Sequence, residues 1–321
     1  MPSHAPLNEA DESLLALARA VRDTGYEFIT PTPATHARVN ARAESGVAQD
    51  LRGVFGWSRP FLPEILPPDL FALMRRAGAA APEADGRLWR SLVRISSLDG
   101  LLFLHSAYPT GAADAVFFGP DTYRFAAAIE AGLAGREAPI HRAADIGCGA
   151  GPGGILVARA RPAAEVAMLD INEAALRLAR VNTALAGTAN AEALHSDLLG
   201  GVPGEFDWIV SNPPYLLDLA RRSYRHGGGA LGEGLSITIL DAALQRLAPG
   251  GSLVLYTGVA IVDGRDAFRE AAVERLAGTD MAWRYRETDP DVFGEELEGG
   301  IYDQADRIAA VVLTTTKPGR R

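Results

Sequence analysis

The chain has 321 residues, 48% hydrophobic and 22% charged, with a net charge of −9. That is an ordinary composition for a water-soluble globular protein, and the length allows two cores. No apolar run approaches the length that spans a bilayer, and the acidic balance speaks against a surface that grips nucleic acid, although it leaves room for a local basic patch.

The single cysteine, Cys148, excludes an intrachain disulfide and fits a reducing, cytoplasmic setting. The six histidines are scattered without Cys or Asp at ligand spacing, so no metal site is expected. The opening MPSHAPLNEADESLL has no basic region followed by an apolar core, so no secretory signal is expected.

In chain order, Leu14, Leu17, Ala18 and Val21 recur at helical spacing in DESLLALARAVRD, with Asp11 as the expected cap. A second helix is expected in PPDLFALMRRAGAA, opened by its prolines. Trp57, in GVFGWSRPF, reads as a core or interface aromatic. LVRISSLDGLLFLHS reads as two strands around Asp99-Gly100, a hairpin dipeptide. Residues 1–119 are thus expected to form a smaller, mainly helical unit with a β-hairpin that recognises the substrate.

From residue 120 to 321 the pattern alternates. Strands are expected in RAADI, EVAMLD, AEALHSD, FDWIVS, SLVLYTG, MAWRYRE and RIAAVVLTTT. Helices are expected in ILVARAR, NEAALRLARVNTALAG, SITILDAALQRLA (stopped by PGG) and DAFREAAVERLAG. Strands alternating with helices argue for an α/β fold, a mostly parallel Rossmann-like sheet covered on both faces.

The turn after RAADI, GCGAGPGG, opens a helix, and Gly147, Gly149 and Gly151 let backbone turn tightly and approach a ligand. Gly149, Gly151 and Gly154 also satisfy G-x-G-x-x-G, so a nicotinamide dehydrogenase is an alternative at this point. Asp170 ends the next strand, where a carboxylate accepts hydrogen bonds from ribose hydroxyls, and Asp197 ends the third; either could instead be a helix cap. Cys148 has no histidine partner and reads as a packing residue.

SNPPY, residues 211–215, follows the fourth strand at the rim where open α/β sheets bind ligands. Asn212 precedes a proline and is biased to an extended conformation. Pro213 and Pro214 have fixed φ and no N–H. A side-chain carbonyl from Asn212 and a backbone carbonyl from Pro213 make a stiff acceptor pair suited to an –NH2 group, and Tyr215 offers a flat face for a planar group.

The glycine loop with Asp145 in front of it resembles motif I of class I S-adenosylmethionine-dependent methyltransferases. NPPY resembles the signature of those that methylate planar nitrogen: adenine N6, guanine N2 and the glutamine side chain of peptide release factors. The resemblance covers roughly residues 120–260. It implies a seven-stranded sheet with the last strand antiparallel and S-adenosyl-L-methionine as cofactor. The cofactor would be held by Asp145, Gly147, Gly149, Gly151, Asp170, Ile171, Asp197, Leu198 and Asn212. Asn212, Pro213 and Tyr215 would then carry the chemistry, gripping both N–H bonds so that the nitrogen lone pair faces the methyl group, with no strong base required. The acceptor implied first is a protein glutamine. A nucleic acid base, a small metabolite and a non-catalytic cofactor-binding module are the alternatives. VFFGPDTYRFAAAIEAGLA resembles the segment entering the catalytic region, with Thr122 and Tyr123 as further cofactor candidates.

Two segments have their own readings. Arg221, Arg222, Arg225 and His226 precede a glycine cluster and form either a basic lid over the substrate or a solvated loop. The acidic run at 289–306 reads as a surface hairpin.

Overall fold

The computed structural model describes residues 6–84, 86–218, 222 and 224–320. Helices α1 (Glu9–Asp23), α2 (Pro33–Asn40) and α3 (Pro68–Arg76) come first, followed by strands β1 (Ala80–Pro82), β2 (Trp89–Ser91), β3 (Val93–Leu98) and β4 (Leu101–Ser106). The apolar stripe Leu14, Leu17, Ala18 and Val21 of α1 is buried.

The expected cap is corrected. Asn8 caps α1 by accepting the Asp11 N–H at 2.9 Å, one turn earlier than the sequence pattern placed the start. Asp11 sits inside the first turn, where its carboxylate takes the Asn8 amide at 3.0 Å and the Arg177 guanidinium, and where the helix dipole favours negative charge.

The β3–β4 hairpin turns at Asp99 (φ +49°) and Gly100 (φ +72°), the left-handed pair that a tight two-residue turn requires. The small β1–β2 pair was not expected; at three residues each, its strands are too short to show an alternation.

The rest of the chain runs α4 (Pro120–Ala134), β5 (Arg142–Ile146), α5 (Pro152–Ala160), β6 (Glu165–Asp170), α6 (Glu173–Ala186), β7 (Ala191–His195), β8 (Phe206–Ser211), α7 (Gly234–Arg246), β9 (Leu247–Val262), β10 (Arg265–Asp266), α8 (Ala267–Leu276), β11 (Ala282–Asp289) and β12 (Arg307–Thr316). Seven strands pair in the order β11-β12-β9-β8-β5-β6-β7, and the two-residue β10 hangs from β9 as an eighth. Pairs β5–β6, β6–β7, β5–β8 and β8–β9 are parallel, whereas β12 is antiparallel to both neighbours.

The alternation of β12 shows why both faces are covered. Ile308, Ala310 and Val312 enter one core, and Ala309, Val311 and Leu313 the other. PGG does not end α7 with a turn: β9 begins at Leu247 and carries Pro249, Gly250 and Gly251 as an irregular start, opposite a register shift between Phe206 and Trp208.

Asn182 of α6 joins the N-terminal hairpin to this sheet. Buried, it accepts the Leu104 N–H at 2.9 Å and donates to the carbonyls of Leu104 at 2.9 Å and Ala150 at 2.8 Å. One side chain thereby ties β4 to the glycine loop.

Candidate functional site

Strand order reverses between β5 and β8, and a crevice opens at their carboxyl ends. Ser211 holds the two strand ends together, its hydroxyl donating to the Ile146 carbonyl at 2.7 Å.

The glycine loop leaves β5 beside them. The N–H groups of Gly147 and Cys148 both donate to the Leu169 carbonyl, at 2.8 and 2.9 Å, which folds the loop against the end of β6. Gly147 (φ +69°) and Gly149 (φ +55°) are left-handed. A methyl group on Gly147 would meet nothing within 4 Å, and one on Gly149 only Val116, so the loop presents bare backbone to open space.

Asp145 lies behind the loop, 1% exposed, its carboxylate accepting the Gly154 N–H at 2.7 Å in the first turn of α5. Burial pushes its pKa up to about 7, against the pull of that hydrogen bond. Asp170 uses one oxygen on the Gly149 N–H and the other on the Asn172 N–H, both at 2.9 Å. Burial raises its pKa while those amides oppose the shift. The Ile171 N–H also acts on this carboxylate, which still keeps a lone pair for a ligand hydroxyl.

After β8 the chain enters Asn212-Pro213-Pro214-Tyr215. Among the described residues, nothing hydrogen-bonds the Asn212 side chain or the Pro213 carbonyl. Tyr215 differs from the exposed platform its sequence position suggested. It is 7% exposed, its ring lies against Gly258, and its hydroxyl donates to Asp121 at 2.6 Å. Tyr256 donates to the other oxygen of Asp121 at 2.5 Å, and Arg124 reaches that oxygen at 3.2 Å.

Burial raises the Asp121 pKa, opposed by the two tyrosines and Arg124, and it raises both tyrosine pKa values. The result is a buried carboxylate fed by neutral phenols. This anchor was missed from the sequence: Pro-Asp at a helix start reads as a helix-start signal, and the tyrosines lie 94 and 135 residues away.

These elements enclose a cleft of about 1340 Å³ of empty space, open solvent at its mouth included. Asp145, Gly147, Gly149, Asp170, Ile171, Asp197, Leu198, Asn212, Pro213 and Tyr215 all border it. Gly151, at φ +86°, does not; a methyl group there would press on Met168 and Ala179, so it serves packing of α5. Ile171 is 59% exposed, an apolar side chain held out beside the cleft. Thr122 borders the cleft and accepts the Gly119 N–H. Tyr123 points elsewhere, its hydroxyl accepting the Thr30 N–H at 2.9 Å. Cys148 is buried and its thiol pKa is pushed up by burial and by Asp145, as befits a packing residue.

The acidic run is corrected from a surface hairpin. Val292 and Tyr302 are buried, Phe293 borders the cleft, and Glu296 pairs with Arg225. The Tyr302 hydroxyl accepts the Leu217 N–H at 2.8 Å and donates to the Leu231 carbonyl at 3.1 Å.

The basic segment is likewise engaged internally. Arg222 forks onto Asp218 at 2.6 and 2.9 Å, holding that carboxyl well below its usual range. His226 accepts the Asp218 N–H at 3.2 Å. Arg221 lies outside the described residues.

Comparison with known proteins decides the family. A model of the methyltransferase small domain matches residues 135–261. A release factor glutamine methyltransferase of Deinococcus radiodurans is 33% identical over 241 residues, 70% of this chain and 82% of that protein. The chain belongs to the class I S-adenosylmethionine-dependent methyltransferases.

A ribosomal RNA small subunit methyltransferase C of Pseudomonas aeruginosa is 32% identical over 188 residues, 59% of this chain and 46% of that protein. A ribosomal protein uL3 glutamine methyltransferase of Neisseria meningitidis is 33% identical over 130 residues, 37% of this chain and 43% of that protein.

The cofactor of this methyltransferase is S-adenosyl-L-methionine, and the cleft fits it. A bare glycine backbone, a carboxylate with a spare lone pair at Asp170 and an exposed apolar Ile171 match an adenosyl group with its ribose. Among the described residues no group of His, Cys, Asp or Glu could hold a metal ion, and no helix is long and apolar enough to cross a membrane.

Proposed function

We propose that this methyltransferase transfers a methyl group to the side-chain amide nitrogen of a glutamine in a protein acceptor. The observation that carries the proposal is the Asn212 amide beside the Pro213 carbonyl, neither of them hydrogen-bonded among the described residues, on a backbone stiffened by two prolines. When bound, S-adenosylmethionine supplies an electrophilic methyl group on a sulfonium.

The residues of this chain do the rest. Asp170, Ile171, Asp197 and Leu198 border the adenosyl side of the cleft, and Gly147 and Gly149 leave its floor bare. Asn212 and Pro213 accept the two N–H bonds of the acceptor and fix its plane; orientation of this kind contributes on the order of 7 kcal/mol at the lower end of its range. Tyr215 acts through Asp121, which holds the NPPY backbone in place.

A protein acceptor is favoured by two facts. The match to the glutamine methyltransferase runs over 241 residues, beyond the catalytic sheet. Arg225, which borders the cleft, and Arg222 beside it are paired with Glu296 and Asp218, which leaves them less available to a phosphate backbone.

The match to the rRNA methyltransferase supports a second reading, an exocyclic amino group of a base. We assign substrate recognition to residues 1–119 and a cytoplasmic location to the protein. Purified protein, labelled cofactor and a cell extract test the proposal. Label in protein, recovered as methylglutamine after enzymatic digestion and released as methylamine by acid hydrolysis, is expected. Label confined to RNA would favour the base, and no transfer at all would leave a cofactor-binding module.

A further inference from the structure

One residue that borders the cleft has a strained backbone. Phe293 sits at φ +56°, in the left-handed region. For a bulky side chain this conformation costs free energy, and it persists only where the surroundings impose it.

Neighbours on both sides impose it here. Upstream, Asp289 takes Arg124 at 2.6 Å, and the Pro290 carbonyl accepts from Arg307 at 2.9 Å. The Val292 N–H donates to the Ile308 carbonyl at 2.7 Å, and the Val292 side chain is buried in the core. Downstream, the Glu296 N–H closes a turn on the Phe293 carbonyl at 2.9 Å, and the Glu296 carboxylate pairs with Arg225. Each contact fixes the path of the backbone that carries the Phe293 ring.

The ring meets the NPPY turn. It makes a T-shaped contact with Tyr215, the centroids 6.0 Å apart and the planes at 67°. Tyr215 has little surface of its own to offer a ligand. It is 7% exposed, and a methyl group on Gly258 would overlap its ring. Phe293 is only partly buried. A T-shaped contact uses at most one face of a ring, so Phe293 keeps a flat apolar surface beside the acceptor pair. Phe117 and Tyr224 border the same cleft, but they stack on each other, 6.0 Å apart with planes 10° from parallel.

We propose that Phe293 is the platform of the acceptor site. The planar amide of the acceptor rests on this ring while Asn212 and Pro213 take its two N–H bonds. The inference deepens the reading of the cleft as an N-methyltransferase site and rests on it. Two acceptors fix the amide within its own plane but leave it free to rock out of that plane. The lone pair of a planar nitrogen stands perpendicular to the plane, so the orientation that the ring supplies is the one the reaction needs. The ring covers one face of the amide and leaves the other open to the reacting methyl group.

The test uses full-length protein and three substitutions. Phe293→Gly removes the ring and, at this φ, the strain as well. Phe293→Leu keeps apolar volume without a flat face, and Phe293→Tyr keeps the ring. Each protein, at saturating labelled S-adenosylmethionine, is titrated with the protein fraction of a cell extract. The half-saturating extract concentration and the maximal rate are read separately.

Phe293→Gly and Phe293→Leu are expected to raise the half-saturating concentration about tenfold, the scale of one aromatic contact with the area it buries. Cofactor affinity by calorimetry should be unchanged, and Phe293→Tyr should return half-saturation towards the wild-type value. A lower thermal midpoint with half-saturation unchanged is what a packing role alone predicts, and it overturns the platform. So does an active wild type whose Phe293→Leu variant keeps the same half-saturation. A wild type that labels nothing in the fraction overturns the reading of the cleft itself, and the platform with it.

Discussion

The Tyr215 hydroxyl donates to Asp121 at 2.6 Å across 94 residues of sequence, fastening the NPPY turn to the first turn of α4. Because Asp121 also takes Tyr256 and Arg124, the turn rests on a carboxylate that is itself held on both oxygens. Tyr215→Phe removes one donor from a buried acceptor and is expected to lower stability by about 1–3 kcal/mol. Turnover should fall several-fold while cofactor affinity stays within threefold. Thermal unfolding with cofactor titration and initial rates checks the split between the two.

Gly258 of β9 makes room for that tyrosine. A methyl group there would sit 2.1 Å from Cε2 of Tyr215, inside any tolerable contact. Gly258→Ala should cost about 1–3 kcal/mol by overpacking, and because the displaced ring drags on Pro213 and Asn212, turnover should drop more steeply than in Tyr215→Phe. Rates of the two variants at a temperature where both are folded decide this.

Asn182 supplies three hydrogen bonds to backbone that has no substitute partner in a buried site. Asn182→Ala is expected to destabilise by about 3 kcal/mol or more, with loss of cofactor affinity because Ala150 belongs to the glycine loop. Denaturant unfolding and calorimetric binding of S-adenosylmethionine measure the two effects; unchanged affinity in a folded variant would detach the loop from this residue.

Asp145 should impose a pH dependence. Its folded pKa is raised from 3.8 to about 7, so the folded state holds a proton that the unfolded state gives up. Stability from this group is present below pH 3.8, declines as pH rises towards about 7, and is flat above. Asp145→Asn keeps an acceptor for Gly154 and removes the titration. Relative to that variant, wild type should lose stability between pH 4 and pH 7, measured by the difference in unfolding free energy. A constant difference would mean that Asp145 is not buried as described.

Elements whose signal is local were legible in the sequence. RAADI, EVAMLD, FDWIVS and RIAAVVLTTT coincide with β5, β6, β8 and β12, because continuous apolar strands flanked by glycine or helix signals have few other readings. The glycine loop, Asp170 and NPPY meet at one cleft for the same reason: topology brings the ends of β5, β6 and β8 together.

What escaped depends on partners distant in sequence. Asp11 looked like a cap because acidic residues favour helix starts, yet Asn8 caps and Asp11 answers Arg177, 166 residues away. The acidic run looked like a solvated hairpin because its charges are dense, while its contribution to the cleft comes from Phe293 and Tyr302. Arg222 and Arg225 read as part of a basic lid or a solvated loop because their partners Asp218 and Glu296 were not recognisable from the sequence.

The central claim is that Asn212 receives the acceptor nitrogen and does little else. Asn212→Ala, titrated with S-adenosylmethionine by calorimetry and assayed for methyl transfer at saturating cofactor, tests it most directly. The expected result is cofactor affinity within about threefold of wild type and transfer reduced about a hundredfold or more, the scale seen when one oriented hydrogen-bonding group is removed from a reacting centre. Transfer within tenfold of wild type would contradict the claim, and so would a loss of cofactor binding large enough to account for the lost rate.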